Sequence, residues 1–231
     1  MQSDLGEIIT MRDDPPDFDY SEYDEDPDTG SISSKVMKAG HIALEERFEK
    51  SDNFESVIEV GTGYGGHYNL IHHQFKDYTM TDYGDYCLSV LNSKYAQDEK
   101  VKIVKEDATQ LSFADHSFDR LIACHVLEHL PEPHKVLKEW YRVVKPGGVI
   151  SILLPTDPGL AWRFARIFAR RKHIANGMHY DYVMAREHIN SINNLVSLIH
   201  YYFEQPTERW YPFHLPSMDI NLFYCCHIKR I

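Results

Sequence analysis

Histidine side chains near carboxylates are the groups in this 231-residue chain that could move a proton. His125 follows an apolar run that begins at Phe118, so it would stand at the end of a buried strand. A second group, His179 with Asp181, lies further along the chain in a polar and aromatic stretch. A histidine titrates near neutral pH and can therefore take a proton from a hydroxyl nucleophile. For each histidine the simpler alternative is packing or solvation without chemistry.

A glycine-dense turn follows directly on a short strand, over residues 57–66, which read VIEVGTGYGG. The β-branched run suits a strand that is buried on both faces of a parallel sheet, and the glycines allow a ligand to approach the backbone closely. Gly61, Gly63 and Gly66 satisfy the pattern G-x-G-x-x-G, and Asp82 follows about twenty residues later. A dinucleotide site is therefore possible, and so is a turn that is glycine-rich only for packing.

Further short motifs follow the turn in order. They are Asp82 at the end of an apolar stretch, Glu106-Asp107-Ala108, Phe118-Asp119, Val126-Leu127-Glu128-His129 and Lys145-Pro146-Gly147-Gly148. Together with the turn they resemble the class I S-adenosylmethionine-dependent methyltransferases, in particular the broad branch that acts on small molecules. The resemblance covers about residues 54–155. A nicotinamide dinucleotide site would leave the last two motifs unexplained.

The resemblance implies a site for S-adenosylmethionine at the carboxyl ends of neighbouring parallel strands. Glu59 and the glycine turn would lie at the methionine end, and Asp82 would accept hydrogen bonds from the ribose hydroxyls. Asp107 would accept from the adenine amino group, with Tyr83 and Leu111 over the ring faces. An aspartate also caps helices or forms turns, which is the alternative for Asp82 and Asp107. The implied cofactor-binding residues are Glu59, Gly61, Thr62, Gly63, Gly65, Asp82, Tyr83, Asp107, Ala108 and Cys124.

The same resemblance implies methyl transfer, in which catalysis consists of in-line positioning and, for a hydroxyl acceptor, removal of its proton. His125 is the first candidate base, and His179 with Asp181 is the second. The expected acceptor is a hydroxyl of a small sugar-like or anionic metabolite. An anion would be suited by the arginines after strand 5, Arg163, Arg166, Arg170 and Arg171. N-methylation of a small amine and a non-catalytic, methyltransferase-like partner subunit are the alternatives. The predicted substrate-binding residues are Tyr20, Tyr23, Arg163, Arg166, Tyr180 and His188.

The alternation of strands and helices predicts an α/β fold. The resemblance makes it a doubly wound, mostly parallel, seven-stranded Rossmann-like sheet whose last strand is antiparallel. A helix over 33–50 precedes the first strand, a basic helical insertion at about 156–184 follows strand 5, and another helix covers 187–203. The closing strand pair lies near Tyr211 and over 220–226. The earlier strands are expected near 56–60, 78–82, 101–105, 118–124 and 148–154, with helices between them.

The net charge of −11 is concentrated at the beginning of the chain. Residues 1–28 hold eleven acidic residues and a single arginine, a local balance of −10. Tyr20 and Tyr23 interrupt the acidic run, which a merely solubilising tail does not require. We therefore expect an acidic arm or lid over 1–30 and a methyltransferase domain over 31–231. An acidic arm on a nearly neutral body argues against a nucleic-acid partner.

The four cysteines, Cys87, Cys124, Cys225 and Cys226, have no C-x-x-C spacing and predict buried, reduced thiols without disulfides or zinc. Pairs such as His72-His73 lack thiolate or carboxylate partners at regular spacing, so no metal is predicted. No apolar run approaches the roughly 20 residues that cross a bilayer, and no signal-peptide pattern opens the sequence. A cytoplasmic enzyme with a small-molecule acceptor and no integral membrane association is expected.

Overall fold

A single mixed sheet forms the centre of the computed structural model, which describes residues 31–175 and 179–231. Its strands are β1 (Asn53–Val60), β2 (Gln74–Asp82), β3 (Val101–Lys105), β4 (Phe118–Cys124), β5 (Val144–Pro155), β6 (Thr207–Tyr211) and β7 (Phe223–Lys229). They lie in the order β3-β2-β1-β4-β5-β7-β6. Neighbouring strands are parallel except in the two pairs that include β7. This confirms the predicted seven-stranded, mostly parallel Rossmann-like sheet with its last strand antiparallel.

Helices cover both faces of the sheet. Those of the described residues are α1 (Ile32–Glu45), α2 (Asp85–Tyr95), α3 (Pro133–Val143), α4 (Leu160–Ala175), α5 (Tyr180–Glu187) and α6 (Ile192–Tyr202), with a 3-10 turn at Tyr68–Leu70. α1 and α2 pack on one face, and α3 and α6 pack on the other. α4 and α5 follow β5, where the sequence predicts a helical insertion. Within the described ranges, each helix is too short or too polar to cross a bilayer.

Two connections differ from the prediction of a helix between every pair of strands. Only the 3-10 turn lies between β1 and β2, because seven residues, 67–73, separate the glycine turn from β2. Three of those seven residues are histidines and one is an asparagine, which are weak helix formers. Residues 106–117, between β3 and β4, hold no helix in the structure. There the Glu106 carboxylate accepts hydrogen bonds from Ser112, which stabilises a loop.

Three predicted boundaries are wrong. α1 ends at Glu45 instead of reaching residue 50. The single helix predicted over 187–203 is the end of α5 followed by α6, because Ser191 caps α6 by accepting a hydrogen bond from the Asn194 N–H. The closing strands were predicted near Tyr211 and over 220–226. In the structure β6 already ends at Tyr211, and β7 begins only at Phe223.

The two faces of the sheet bury different kinds of side chain. We call the face under α3 and α6 the α3 face; it packs aliphatic and aromatic side chains around Trp140, Leu121 and Ile150. We call the face under α1 the α1 face; it combines an apolar cluster around Leu44 with the guanidinium of Arg120, which is 0% exposed. A fully buried arginine has to be paired to be tolerated.

Arg120 is paired on every side. Its terminal nitrogens donate to both carboxylate oxygens of Glu45, at 3.0 and 2.5 Å, and its Nε donates to Ser151 Oγ at 3.1 Å. Nη1 also donates to the imidazole Nε2 of His73 at 2.6 Å, and the guanidinium lies 3.9 Å from the ring centroid of Phe48. Burial by itself raises the pKa of Glu45, but Arg120 outweighs it and holds that pKa well below its usual range. The α1 face therefore contains a buried ionic network.

Candidate active site

The glycine turn adopts a backbone that side chains would obstruct. Gly61, Gly63 and Gly65 have φ values of +66°, +57° and +80°, in the left-handed region that favours glycine. A Cβ on Gly61 would lie 2.5 Å from Cγ2 of Val126, and one on Gly65 would collide with Tyr95. A Cβ on Gly63 would meet no described atom within 4 Å. The turn is thus closely packed at Gly61 and Gly65 and open at Gly63. A turn that binds a ligand through its backbone needs such an open position.

Asp82 ties this turn to the end of β2. Its Oδ2 accepts a hydrogen bond from the Gly63 N–H at 2.9 Å, and its Oδ1 accepts from the Gly84 N–H at 2.9 Å. The turn-forming alternative for Asp82 is therefore present in the structure. Each carboxylate oxygen keeps a second lone pair, so ribose hydroxyls can still donate to it. Thr62 fixes the same turn, because its Oγ1 donates to the Glu59 carbonyl and accepts from the Thr81 N–H.

Glu59 and Cys124, which are both predicted to bind the cofactor, have buried side chains. The Glu59 side chain is 2% exposed, and its carboxylate accepts a hydrogen bond from the Tyr78 hydroxyl at 2.6 Å. Burial raises the pKa of Glu59. Its carbonyl supports the turn, accepting from Thr62 and Thr81. The Cys124 thiol is 8% exposed at the end of β4, and burial raises its pKa.

The predicted adenine side holds a local turn. Oδ1 of Asp107 accepts hydrogen bonds from the N–H and the hydroxyl of Thr109, at 2.8 and 2.7 Å, so the turn-forming alternative is present here too. The Ala108 carbonyl accepts from the indole of Trp140 at 3.0 Å. Tyr83 is 71% exposed and available to a planar ligand, whereas the Leu111 side chain is only 4% exposed and belongs to the core of the α3 face.

His125 occupies a constrained position just beyond β4. It has a φ of +58°, which is uncommon for a residue with a side chain, and its N–H donates to the Leu153 carbonyl at 2.9 Å. Its Nδ1 lies 3.6 Å from Oε1 of Glu128. Its Nε2 is buried and has no hydrogen-bond partner in the described part of the chain. Backbone strain and an unpaired ring nitrogen are both features that concentrate at functional sites.

Glu128 connects His125 to a second histidine. The carboxylate is 2% exposed, and Oε1 lies 3.8 Å from Nε2 of His129. Burial alone would raise the pKa of Glu128, but His125 and His129 together hold it below its usual value. Burial lowers the pKa of His129, whose Nδ1 lies 2.9 Å from the carbonyl oxygen of Glu187 at the end of α5.

The structure separates the four predicted residues of the region around α5, which are His179, Tyr180, Asp181 and His188. Tyr180 is 3% exposed, and burial raises its pKa. His188 is also turned inward: its ring lies 4.8 Å from that of His129, and its Nδ1 lies 3.3 Å from Oδ2 of Asp157. His179 is exposed at the start of α5, beside an Asp181 side chain that is 67% exposed. Tyr180 and His188 are thus turned inward, whereas His179 and Asp181 are exposed.

The arginines predicted to meet an anionic substrate are largely paired within the chain. Nη1 of Arg166 donates to both carboxylate oxygens of Asp157, at 3.0 and 2.9 Å. Arg170 forms a bidentate pair with Asp181 at 2.7–2.9 Å. Arg163 is exposed on α4. The two pairs anchor α4 to the end of β5 and to α5, so they act first as structural contacts. Tyr20 and Tyr23 lie outside the described residues.

One cluster was not expected from the sequence. His41 of α1, His67 after the glycine turn and Cys124 at the end of β4 place their potential ligand atoms within 4.8 Å of one another. These residues are widely separated in the sequence, so no short motif announces them.

Comparison with known proteins points to one family. Residues 58–152 match the family model of the methyltransferase domain. A 109-residue segment is 32% identical to demethylmenaquinone methyltransferase of Bacteroides fragilis and covers 45% of this chain and 44% of that protein. A 140-residue segment is 33% identical to sterol 24-C-methyltransferase of Debaryomyces hansenii and covers 58% and 36%. The chain spans less than half the length of these curated relatives.

A solved structure matches more of the chain. The N-methyltransferase NodS from Bradyrhizobium japonicum, in complex with S-adenosyl-L-homocysteine, aligns with a TM-score of 0.59 over 87% of this chain and 89% of that one. The two sequences are 13% identical, so this likeness concerns the fold alone.

Proposed function

We propose that this chain, whose core belongs to the class I S-adenosylmethionine-dependent methyltransferase family, transfers a methyl group from that cofactor to a hydroxyl of a small molecule. The observation that carries the proposal is the glycine turn held by Asp82, because it combines an open backbone at Gly63 with an acceptor at the end of the next strand. Strand ends in this position form the binding crevice of open α/β sheets.

The chain's own residues would hold the cofactor through three kinds of contact. The turn from Gly61 to Gly65 offers its backbone to the methionine end, and Asp82 accepts from the ribose hydroxyls. Tyr83 and the loop at Asp107 and Ala108 lie at the adenine end. The bound cofactor supplies a methyl group on a positively charged sulfur, which makes that carbon electrophilic. The protein's part is then to align the acceptor and to exclude water.

Proton removal from the acceptor falls to His125 in this proposal. Its Nε2 is buried without a hydrogen-bond partner among the described residues, so an acceptor hydroxyl could donate to it. The Glu128 carboxylate on the Nδ1 side, 3.6 Å away, would orient the ring and stabilise the imidazolium that forms. Tyr180 and His188 are the inward-facing residues of the second predicted group, and they are proposed to line the acceptor side. His179 and Asp181 remain the alternative pair for proton transfer.

The proposed acceptor is a sugar-like small molecule. An anionic acceptor has less support from the structure than it had from the sequence. Arg166 forms an ion pair with Asp157, and Arg170 forms one with Asp181. Of the two predicted substrate-binding arginines, Arg163 and Arg166, it is Arg163 that is exposed. N-methylation of a small amine is the alternative acceptor chemistry, and it would not need the base. A non-catalytic partner subunit would bind cofactor without turnover.

The acidic arm over residues 1–30 is proposed to act as a lid on the site. The reason is its charge of −10 over residues 1–28, together with the aromatic side chains of Tyr20 and Tyr23. Removing residues 1–28 should raise the KM for the acceptor or lower turnover while the circular dichroism spectrum of the folded domain persists. Kinetics that are unchanged by the deletion would reduce the arm to a solubilising tail.

The experiment that tests the function is turnover of S-adenosylmethionine to S-adenosylhomocysteine across a panel of small hydroxylated and amine acceptors. With the best hydroxyl acceptor, His125→Ala should lower kcat by about 10²–10⁴-fold and leave the cofactor affinity nearly unchanged. His200→Ala, at a side chain that is 50% exposed, is the matched control and should behave as wild type. Wild-type kcat in His125→Ala, with a loss in His179→Ala, would move the base to the solvent-facing group. Cofactor binding without turnover of any acceptor would contradict the enzymatic proposal.

A further inference from the structure

Two histidines and a cysteine converge between α1, which carries His41, the start of the 3-10 turn at His67, and the end of β4 at Cys124. Nδ1 of His41 lies 2.9 Å from Nδ1 of His67, and Sγ of Cys124 lies 3.8 Å from the same nitrogen of His67. His67 is 1% exposed and Cys124 is 8% exposed, so the cluster is screened from water. Imidazole and thiolate groups are the ligands that zinc prefers in proteins.

The proton positions at His67 place a lone pair on its Nδ1, the atom that faces His41 and Cys124. Its Nε2 lies 3.0 Å from a carboxylate oxygen of Glu45, which is itself held in two contacts by Arg120. An ionised carboxylate only accepts hydrogen bonds, so Nε2 carries the proton and the lone pair of a neutral ring is on Nδ1. A histidine that donates its other ring N–H to a carboxylate is the usual arrangement of a metal ligand.

The two separations at His67 suit one ion, and all the potential ligand atoms of the cluster lie within 4.8 Å of one another. Zinc lies about 2.0–2.1 Å from imidazole nitrogen and about 2.3 Å from thiolate sulfur, so two ligand atoms of one ion lie less than about 4.4 Å apart. Both separations at His67, 2.9 and 3.8 Å, are within that limit. Gly40 brings His41 to this position, because a Cβ on Gly40 would lie 2.9 Å from the ring of Phe223, and only a glycine lets α1 approach β7 so closely.

A third histidine, His125, lies beside the cluster and points to a ligand. The ring of His125 is 5.5 Å from that of His41, and its buried Nε2 has no hydrogen-bond partner among the residues that the structure describes. A buried polar atom without a partner costs free energy, which a bound ion or its water ligand would recover. This observation is independent of the three-residue cluster.

We propose that His41, His67 and Cys124 bind a divalent transition-metal ion of the zinc class. The three side chains supply two imidazole nitrogens and one thiolate, and the fourth position of a tetrahedral site is left for a water or another ligand on the side of His125. Binding replaces the thiol proton of Cys124, which is released to solvent, and the metal keeps its oxidation state. The proposal departs from the sequence-based expectation of no metal, and it stands whether or not the chain transfers methyl groups.

The test uses the full-length chain without an affinity tag, stripped of metal by dialysis against a chelator and titrated with Zn²⁺ and with Co²⁺. We expect one ion per chain by equilibrium dialysis, and a cobalt spectrum with both tetrahedral bands and a thiolate-to-metal charge-transfer band. Cys124→Ser should abolish the charge-transfer band and weaken zinc binding at least about tenfold. Cys226→Ser, at a buried thiol of the α3 face, is the matched control and should leave both unchanged.

Histidines elsewhere on the surface can bind zinc loosely, so the thiolate band decides the outcome. A charge-transfer band that persists in folded Cys124→Ser, or no stoichiometric binding by the wild type, would overturn the site. Should Cys124→Ser fail to fold, X-ray absorption of the zinc-loaded wild type replaces it. One sulfur and at least two imidazole nitrogens around the ion would support the site, and a shell without sulfur would overturn it.

Discussion

The two faces of this sheet are stabilised in different ways. On the α3 face, side chains such as Trp140, Leu121 and Ile150 are fully buried in an apolar core. On the α1 face, Arg120 and Glu45 are equally buried but form an ion pair with histidines around it. An apolar core stabilises a fold without needing exact partners, whereas a buried ion pair stabilises it only while every member is present.

The difference in chemistry follows the position of the candidate site. From Arg120 the contacts continue through Glu45 to His67, and from His67 to His41 and Cys124 at the strand ends. The α3 face has no such path among its core residues, which are hydrophobic. We infer that the α1 face buries polar side chains where the α3 face buries apolar ones. Their contacts fix the orientation of the polar groups below the site.

The largest expected effect comes from breaking the ion pair. Arg120→Met should lower the free energy of unfolding by about 3–5 kcal/mol, because Glu45 would remain buried without its partner. Leu121→Met, on the adjacent position of β4 that faces α3, is the matched control and should cost less than about 1.5 kcal/mol. Urea unfolding followed by circular dichroism measures both. Equal costs for the two variants would mean that the faces do not differ in this respect.

A smaller effect should appear as pH dependence. Burial and the nearby Arg120 lower the pKa of His73 to about 4 and that of His227 to about 3. In the unfolded chain a histidine titrates near about 6.5, so below that pH the unfolded state binds more protons than the folded state. Stability should therefore fall as the pH drops from 6.5 to 5, by about 2–3 kcal/mol for the two histidines together.

Urea unfolding at pH 7 and pH 5 measures this loss. His227→Gln removes one of the two groups and should reduce the difference between the two pH values. His116→Gln, at an exposed histidine, should keep the wild-type difference. Stability that is constant or rises on acidification would contradict the neutral, buried state of these imidazoles.

The smallest expected effect concerns the α3 face alone. Ile150→Val removes one methylene from a side chain that is 0% exposed and should cost about 0.5–1.5 kcal/mol. The cost should be the same at pH 7 and pH 5, because no titrating group takes part. A cost that changes with pH would show that the two faces are coupled through β5.

The sheet could be predicted from the sequence because its signals are local. A β-branched run marks β1, the apolar residues from Leu121 to Cys124 mark β4, and the glycine turn and the Lys145–Gly148 segment mark the connections. The connection after the turn was predicted wrongly, since the alternation of strands and helices suggested a helix that residues 67–73 are too few and too polar to form. The type of sheet was therefore predicted better than its connections.

The buried network could not be predicted, because its partners are distant along the chain. Arg120 lies in a largely apolar strand, and its carboxylate partner Glu45 is 75 residues away. His41, His67 and Cys124 come from three separate elements. Likewise, the arginines expected to meet substrate proved to be paired with Asp157 and Asp181, contacts that only the folded chain reveals. Pairings at long range depend on tertiary structure, which periodicity does not encode.

The central claim is that the glycine turn and Asp82 bind S-adenosylmethionine, and calorimetric titration with S-adenosylhomocysteine tests it most directly. Asp82→Ala removes the ribose acceptor and also frees the Gly63 and Gly84 N–H groups, so affinity should fall by about 2–4 kcal/mol, roughly 30- to 1000-fold. Asp77→Ala, at a partly exposed carboxylate of the same strand, should bind as wild type does. Unchanged affinity in folded Asp82→Ala, or tighter binding of a nicotinamide dinucleotide by the wild type, would contradict the account.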